Sequence, residues 1–273
     1  MKTFIIDLAR CNGCYACQVA CKDEHAGNDW LPYARPQPET GQFWIKLHEF
    51  TRGTVPKVKM YYQPVLCAHC DKAPCMDTCP TKKAIYKRDD GVVIINPQKC
   101  TGCRKCVDAC PYRAIYFNEG LNIAQKCTGC AHLLDNGWKV PRCVDVCPTE
   151  CLKFGDESEL KDLFKKGEDI HPESKTRPRL YYLNIPKKFV TGTVYDPVVK
   201  EVITGVTCTL TDDGSNKKYI TATDGFGDFW FEGLKIGSYS VKVEKDGYLA
   251  REVPSISTEK DINIGDLELY KKV

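Results

Sequence analysis

Sixteen of the eighteen cysteines stand in four groups of four: Cys11, Cys14, Cys17 and Cys21; Cys67, Cys70, Cys75 and Cys79; Cys100, Cys103, Cys106 and Cys110; and Cys127, Cys130, Cys143 and Cys147. The first and third groups read C-x2-C-x2-C-x3-C, the bacterial run that supplies thiolates to [4Fe–4S] cubes. Pro80, Pro111 and Pro148 follow the last Cys of the second, third and fourth groups, as that run expects, whereas Cys21 is followed by Lys22. The chemistry this pattern offers is electron transfer through four clusters.

Three cysteines spaced two residues apart can wrap one cube. The fourth begins the next segment and points away, and in two-cluster ferredoxins it ligates the other cluster. The four groups are therefore expected to work as two exchanged pairs, so that metal binding ties distant parts of the chain together. Zinc is the competing reading, but zinc sites favour two C-x2-C pairs separated by a long gap. A third Cys within two residues, as in two of these groups, crowds a tetrahedral site. A disulfide framework would show irregular spacing behind a signal peptide, and this sequence shows neither. Two cysteines remain. Cys208 reads as a buried apolar residue, and Cys151 as a small core residue beside a cluster whose quartet is already complete.

The elements that must position these ligands are short. Phe4 to Asp7 and Val92 to Ile95 read as apolar strands just before a Cys run, and Pro111 to Phe117 and Pro148 to Phe154 as a return to strand after one. The repeating unit is strand, Cys loop, strand. Residues 23–66 interrupt it with prolines and aromatics, among them Trp30, Tyr33, Phe43 and Trp44, and Lys57 to Val65 reads as a strand leading into Cys67. Residues 157–166 read as a short helix, with Asp156 as N-cap, Glu159 three residues on and Gly167 as the stop. Residues 168–188 are charged and proline-bearing, which suits a linker or an arm lying over a partner. Beyond about 189 the pattern changes. Val206, Cys208 and Leu210 alternate with threonines, and Tyr239, Val241 and Val243 with polar residues, the period-2 signature of half-buried strands. Asp213-Gly214, Asp224-Gly225 and Asp246-Gly247 mark turns. About seven strands are expected there, with no catalytic constellation and no histidine.

The length of 273 residues suits two domains: residues 1–186 with the clusters and a linker arm, and residues 187–273 as a β-sandwich or barrel. A net charge of +3 excludes a strongly basic nucleic-acid surface. With sixteen thiolates and four oxidised cores the balance becomes about −5. Lys99, Arg104, Lys105, Arg113, Lys126 and Arg142 lie near the motifs, either to offset that charge or as ordinary surface. Met1 to Arg10 is too short for a signal peptide, and no run is long and apolar enough for a membrane span. The expected location is cytoplasmic, where thiols stay reduced for cluster assembly.

The segments PVLCAHCDKAPCMDTCPTKKAI, GVVIINPQKCTGCRKCVDACPYRAIYF and QKCTGCAHLLDNGWKVPRCVDVCPTECLKFGD resemble the iron–sulfur subunit of the dimethyl sulfoxide reductase family of molybdopterin enzymes. The wide fourth group, C-x2-C-x12-C-x3-C, carries much of the likeness. The resemblance implies that the first group pairs with the fourth and the second with the third. The ligand sets would be Cys11, Cys14, Cys17 with Cys147; Cys127, Cys130, Cys143 with Cys21; Cys67, Cys70, Cys75 with Cys110; and Cys100, Cys103, Cys106 with Cys79. It implies a non-catalytic chain, with no catalytic residue of its own. The partner would be a large catalytic subunit that carries molybdenum on molybdopterin guanine dinucleotide, in a heterodimer. The segments VTGTVYD and TDGFGDFWFEGLKIGSYSVKVEKDGY resemble a transthyretin-like domain of the carboxypeptidase-regulatory or collagen-adhesin B type. The expected fold is thus α+β, a ferredoxin-like multi-[4Fe–4S] domain followed by an all-β, seven-stranded domain. Two other functions fit the cysteines: an electron-transfer subunit of a respiratory reductase or dehydrogenase, and a free polyferredoxin.

Overall fold

The computed structural model describes residues 1–272. They form two compact units, Met1–Phe50 with Tyr61–Ile185, and Thr51–Met60 with the chain from Pro186 onward.

The first unit is built around β1 (Lys2–Asp7), which carries Phe4, Ile5 and Ile6, all wholly buried. A strand with successive apolar residues is covered on both faces, and β1 is the central strand of its sheet. Three two-stranded pairs follow in chain order: β2 (Ile45–Thr54) with β3 (Lys57–Leu66), β4 (Ile85–Lys87) with β5 (Val93–Ile95), and β6 (Ile115–Asn118) with β7 (Ile123–Lys126). Then β8 (Leu152–Asp156) pairs antiparallel with β1, and β9 (Leu180–Leu183) pairs parallel with its other edge. Between the strands lie short helices: α1 (Ala16–His25), α2 (Pro74–Asp77), α3 (Lys105–Asp108), α4 (Ala131–Asp135), α5 (Arg142–Asp145) and α6 (Lys161–Phe164).

Two expectations are corrected in this unit. Residues 168–188 are no free arm, because Leu180, Tyr182 and Leu183 are core residues of β9 and the Tyr182 hydroxyl donates to the Pro64 carbonyl at 2.9 Å. Arg179 anchors the approach by a two-bond fork to Asp71, both bonds 2.8 Å. The helix expected over 157–166 shortens to α6. Glu159 does accept from the Asp156 backbone N–H at 3.1 Å, half of a capping box. The Asp156 carboxylate, however, is taken by Lys2 and the N-terminal ammonium and caps nothing.

In the second unit, β10 (Lys188–Asp196) is flanked by β14 (Asp228–Leu234), by the short β11 (Glu201–Val202), and in parallel by β17 (Ile262–Glu268). The facing sheet runs β13 (Lys218–Ala222), β12 (Thr207–Asp212), β15 (Ser238–Glu244), β16 (Arg251–Ser257), all antiparallel. Val206, Cys208, Leu210, Tyr239, Val241 and Val243 fill the core, as their alternation predicts. Eight strands are present where about seven were expected; β11 is only two residues long and both are exposed, so it leaves no hydrophobic period to read.

The tip of the β2–β3 hairpin belongs to this second unit. Arg52 forks onto Asp261 at 2.6 and 2.8 Å and donates to the Lys187 carbonyl at 2.5 Å. Lys57 pairs with Asp228, and Lys59 pairs with Glu232 while lying over the Trp230 ring.

Candidate metal centres

All four cysteine groups share one local construction. The residue before the second Cys is left-handed in each: Gly13 (φ 73°), His69 (φ 44°), Gly102 (φ 73°) and Gly129 (φ 61°). That reversal folds the first two cysteines into a tight loop. Glycine takes the conformation without a Cβ penalty, and at two of these positions any side chain would also collide. A Cβ on Gly13 would sit 2.5 Å from the Tyr62 ring, and one on Gly102 would sit 2.6 Å from the Asn122 carbonyl oxygen.

A helix then starts, and its second residue is the third Cys: Cys17 on α1, Cys75 on α2, Cys106 on α3 and Cys143 on α5. Three of these helices stop after four residues, just ahead of Cys79-Pro80, Cys110-Pro111 and Cys147-Pro148. A proline disfavours helical backbone at the residue before it, so the fourth Cys is left outside the helix. The first group lacks that proline, and α1 runs on for ten residues to His25 with Cys21 inside it. The departure from the motif therefore lengthens a helix and leaves the Cys loop unchanged.

The structure brings cysteines together across groups. Cys17 has Cys11, Cys147 and Cys14 as neighbours. Cys21 has Cys127 and Cys130 beside it, and Cys143 has Cys130, Cys127 and Cys21. Cys70 and Cys75 face Cys67 and Cys110. Cys106 faces Cys100, Cys103 and Cys79. The fourth Cys of each group thus lies beside cysteines of another group.

The surroundings fit an anionic metal–sulfur core. Cys67, Cys70, Cys75 and Cys110, with His69 and Tyr112, line one small cavity of about 20 Å³. Burial pushes the free Cys17, Cys70, Cys75 and Cys130 thiols up to about 12, so without metal they stay protonated. A coordinating metal reverses that and deprotonates a thiol outright. Among the described residues no three Cys, His, Asp or Glu side chains close on a single ion. Backbone N–H groups donate to sulfur from His69 to Cys67 (3.5 Å), Gly129 to Cys127 (3.3 Å) and Ala124 to Cys100 (3.5 Å), the type of bond that sets a cluster's potential.

Two neighbours of the cysteines, Lys126 and His69, were not legible as such. Lys126 is fully buried, although nothing in its sequence context separates it from Lys99, Arg104, Lys105 and Arg113, which are all exposed. His69 is buried, with Nδ1 accepting from the Val93 N–H at 3.1 Å, which places the ring proton on Nε2. Cys151, read from the sequence as a small core residue beside a cluster, is buried against Cys11, and its thiol hydrogen-bonds that sulfur and lowers the Cys11 thiol. Beside Cys21, the buried His25 donates from Nδ1 to the Cys21 carbonyl (2.9 Å), and the half-buried Trp30 stacks on the buried His132 with ring centroids 4.3 Å apart. Trp44, expected only as part of an aromatic-rich insertion, is packed in the core.

No helix of the described residues is long and apolar enough to cross a membrane. Residues 10–83 and 58–157 match two families of 4Fe-4S dicluster domain, and residues 190–266 match the carboxypeptidase regulatory-like domain. The chain is 37% identical to the pyrogallol hydroxytransferase small subunit of Pelobacter acidigallici, over 97% of its own length and 98% of that protein's. It is 33% identical to the arsenate respiratory reductase iron–sulfur subunit of a Shewanella strain, over 66% of this chain and 94% of that one. It is 34% identical to a sulfite dehydrogenase subunit of Allochromatium vinosum, over 66% and 81% respectively.

Proposed function

Since the chain belongs to the iron–sulfur subunits of the dimethyl sulfoxide reductase family of molybdopterin enzymes, we propose that it is the non-catalytic, electron-transferring subunit of a molybdenum hydroxytransferase acting on polyhydroxybenzenes. Its partner is a large catalytic subunit that carries molybdenum on molybdopterin guanine dinucleotide, and the two form a heterodimer in the cytoplasm. The observation that carries this reading is the extent of the match. The hydroxytransferase small subunit aligns over nearly the whole chain, whereas the reductase and dehydrogenase relatives align over 66% of it.

Four [4Fe–4S] clusters are proposed, with the ligand sets Cys11, Cys14, Cys17, Cys147; Cys127, Cys130, Cys143, Cys21; Cys67, Cys70, Cys75, Cys110; and Cys100, Cys103, Cys106, Cys79. The proximity of cysteines from different groups supports this exchange. When bound, the clusters supply one-electron storage and transfer. The chain's own part is to hold each core by four thiolates, to keep water from the buried cysteines and to set potentials through N–H···S bonds. Hydroxyl transfer between polyhydroxybenzenes is redox-neutral overall, so the proposed electron transfer primes or resets the molybdenum.

Anaerobic purification of the native complex, with mass spectrometry and Fe and Mo analysis, tests the reading. A large molybdenum-bearing partner, about sixteen Fe per complex and hydroxyl transfer from pyrogallol are expected. A lone chain with iron and no molybdenum would make it a free polyferredoxin and defeat the proposal.

A further inference from the structure

Lys126 ends β7, opposite Ile115 of β6, and is 2% exposed. Its ammonium donates to the Val93 carbonyl and, at 3.0 Å, to the Cys127 carbonyl. Among the described residues no carboxylate pairs with it. Such an ammonium is costly to bury unless an anion compensates it. Cysteine sulfurs of two groups lie around it, Cys67, with which it hydrogen-bonds, and Cys75 on one side and Cys127 on the other; the clusters proposed on these ligands would supply that anion. Val93, whose carbonyl anchors the ammonium, also lines the Cys67–Cys110 cavity, and its N–H fixes the neutral His69 ring alongside.

We propose that Lys126 is a positioning residue for electrons: one fixed positive charge shared by two clusters, that on Cys67, Cys70, Cys75 and Cys110 and that on Cys127, Cys130, Cys143 and Cys21. This rests on the ligand sets proposed above. A cluster gains one negative charge when an external reductant gives it one electron. A buried cation beside it favours the reduced form, because Coulomb energies are large where water is excluded. Placed between two clusters, it raises both potentials together and leaves the other two alone. It also marks where the two exchanged pairs of cysteine groups meet, since Cys67 and Cys75 belong to one pair and Cys127 to the other.

The test uses the anaerobically purified complex as wild type, Lys126→Met and Lys126→Arg. Iron is counted, and cluster potentials are read by EPR during a dithionite titration. In iron-replete Lys126→Met, two reduction equilibria are expected to weaken at least tenfold, about 59 mV for a one-electron couple, with the other two unchanged and Lys126→Arg near wild type. Four unchanged potentials, or a shift in all four, overturn the inference. If Lys126→Met sheds iron instead, retention of the EPR signals that vanish in Cys14→Ala and Cys103→Ala supports it, since those clusters do not border Lys126. Loss of those same signals overturns it. A wild-type complex without iron would defeat the ligand sets themselves, a different failure from unchanged potentials.

Discussion

Cys147 lies beside Cys17, although the two stand in the last and first cysteine groups of the sequence. Cys21, only one helical turn from Cys17, looks the other way, to Cys127 and Cys130. This crossing can be counted in iron. Replacing both Cys11 and Cys147 by Ala is expected to remove one cluster, about four Fe, whereas replacing Cys11 and Cys21 removes two, about eight. Reversal of these two counts would show that each group holds its own cube.

Gly13 tests the loop that presents the first ligands. Gly13→Ala brings a left-handed backbone penalty of about 1–2 kcal/mol and sets its Cβ against the Tyr62 ring. The expected result is loss of the cluster on Cys11, Cys14 and Cys17, seen as about four Fe fewer. Adding Tyr62→Ala relieves the collision and leaves the backbone penalty, so iron recovers in part. Full iron in the single variant would remove the steric argument.

The cysteine pattern made the metal chemistry and the β-strand alternation legible, because both are local periodicities. Cys208, on the apolar side of Thr207 and Thr209, is as buried as its period implies. What could not be read is depth that depends on distant chain. Lys126 looks like any surface lysine until β5 covers it, and Tyr182 sits in a charged stretch whose partner strand is at the N-terminus. The long α1 was implicit in the missing proline after Cys21, but only the three four-residue helices beside it give that absence a meaning.

The second unit's core has its own alkaline signature. Burial pushes the Cys208 thiol from 9.0 up to about 12. The unfolded chain ionises near 9, so the stability contributed by the neutral thiol is complete below that pH and is lost as pH rises toward about 12. Cys208→Val is expected to flatten this part of the denaturation profile while leaving neutral stability within about 1.5 kcal/mol. Parallel alkaline profiles for the two proteins would refute it.

The Arg52–Asp261 fork is largely buried, with side chains 15% and 8% exposed. Arg52→Ala leaves Asp261 without its counter-ion, and breaking a buried pair costs about 3–5 kcal/mol. Thermal unfolding of the second unit should shift down accordingly, and the double variant Arg52→Ala with Asp261→Ala should recover part of the loss. A single variant as stable as wild type would mean that water already satisfies the pair.

Residues 51–60 are encoded between the first and second cysteine groups, yet they complete the C-terminal domain. The reductase and dehydrogenase relatives align over 66% of the chain. Grafting the C-terminal domain onto such a scaffold is therefore a two-site transplant. A chimaera joined only near residue 186, without residues 51–60, would strand Asp261, Asp228 and Glu232 without the basic side chains that meet them.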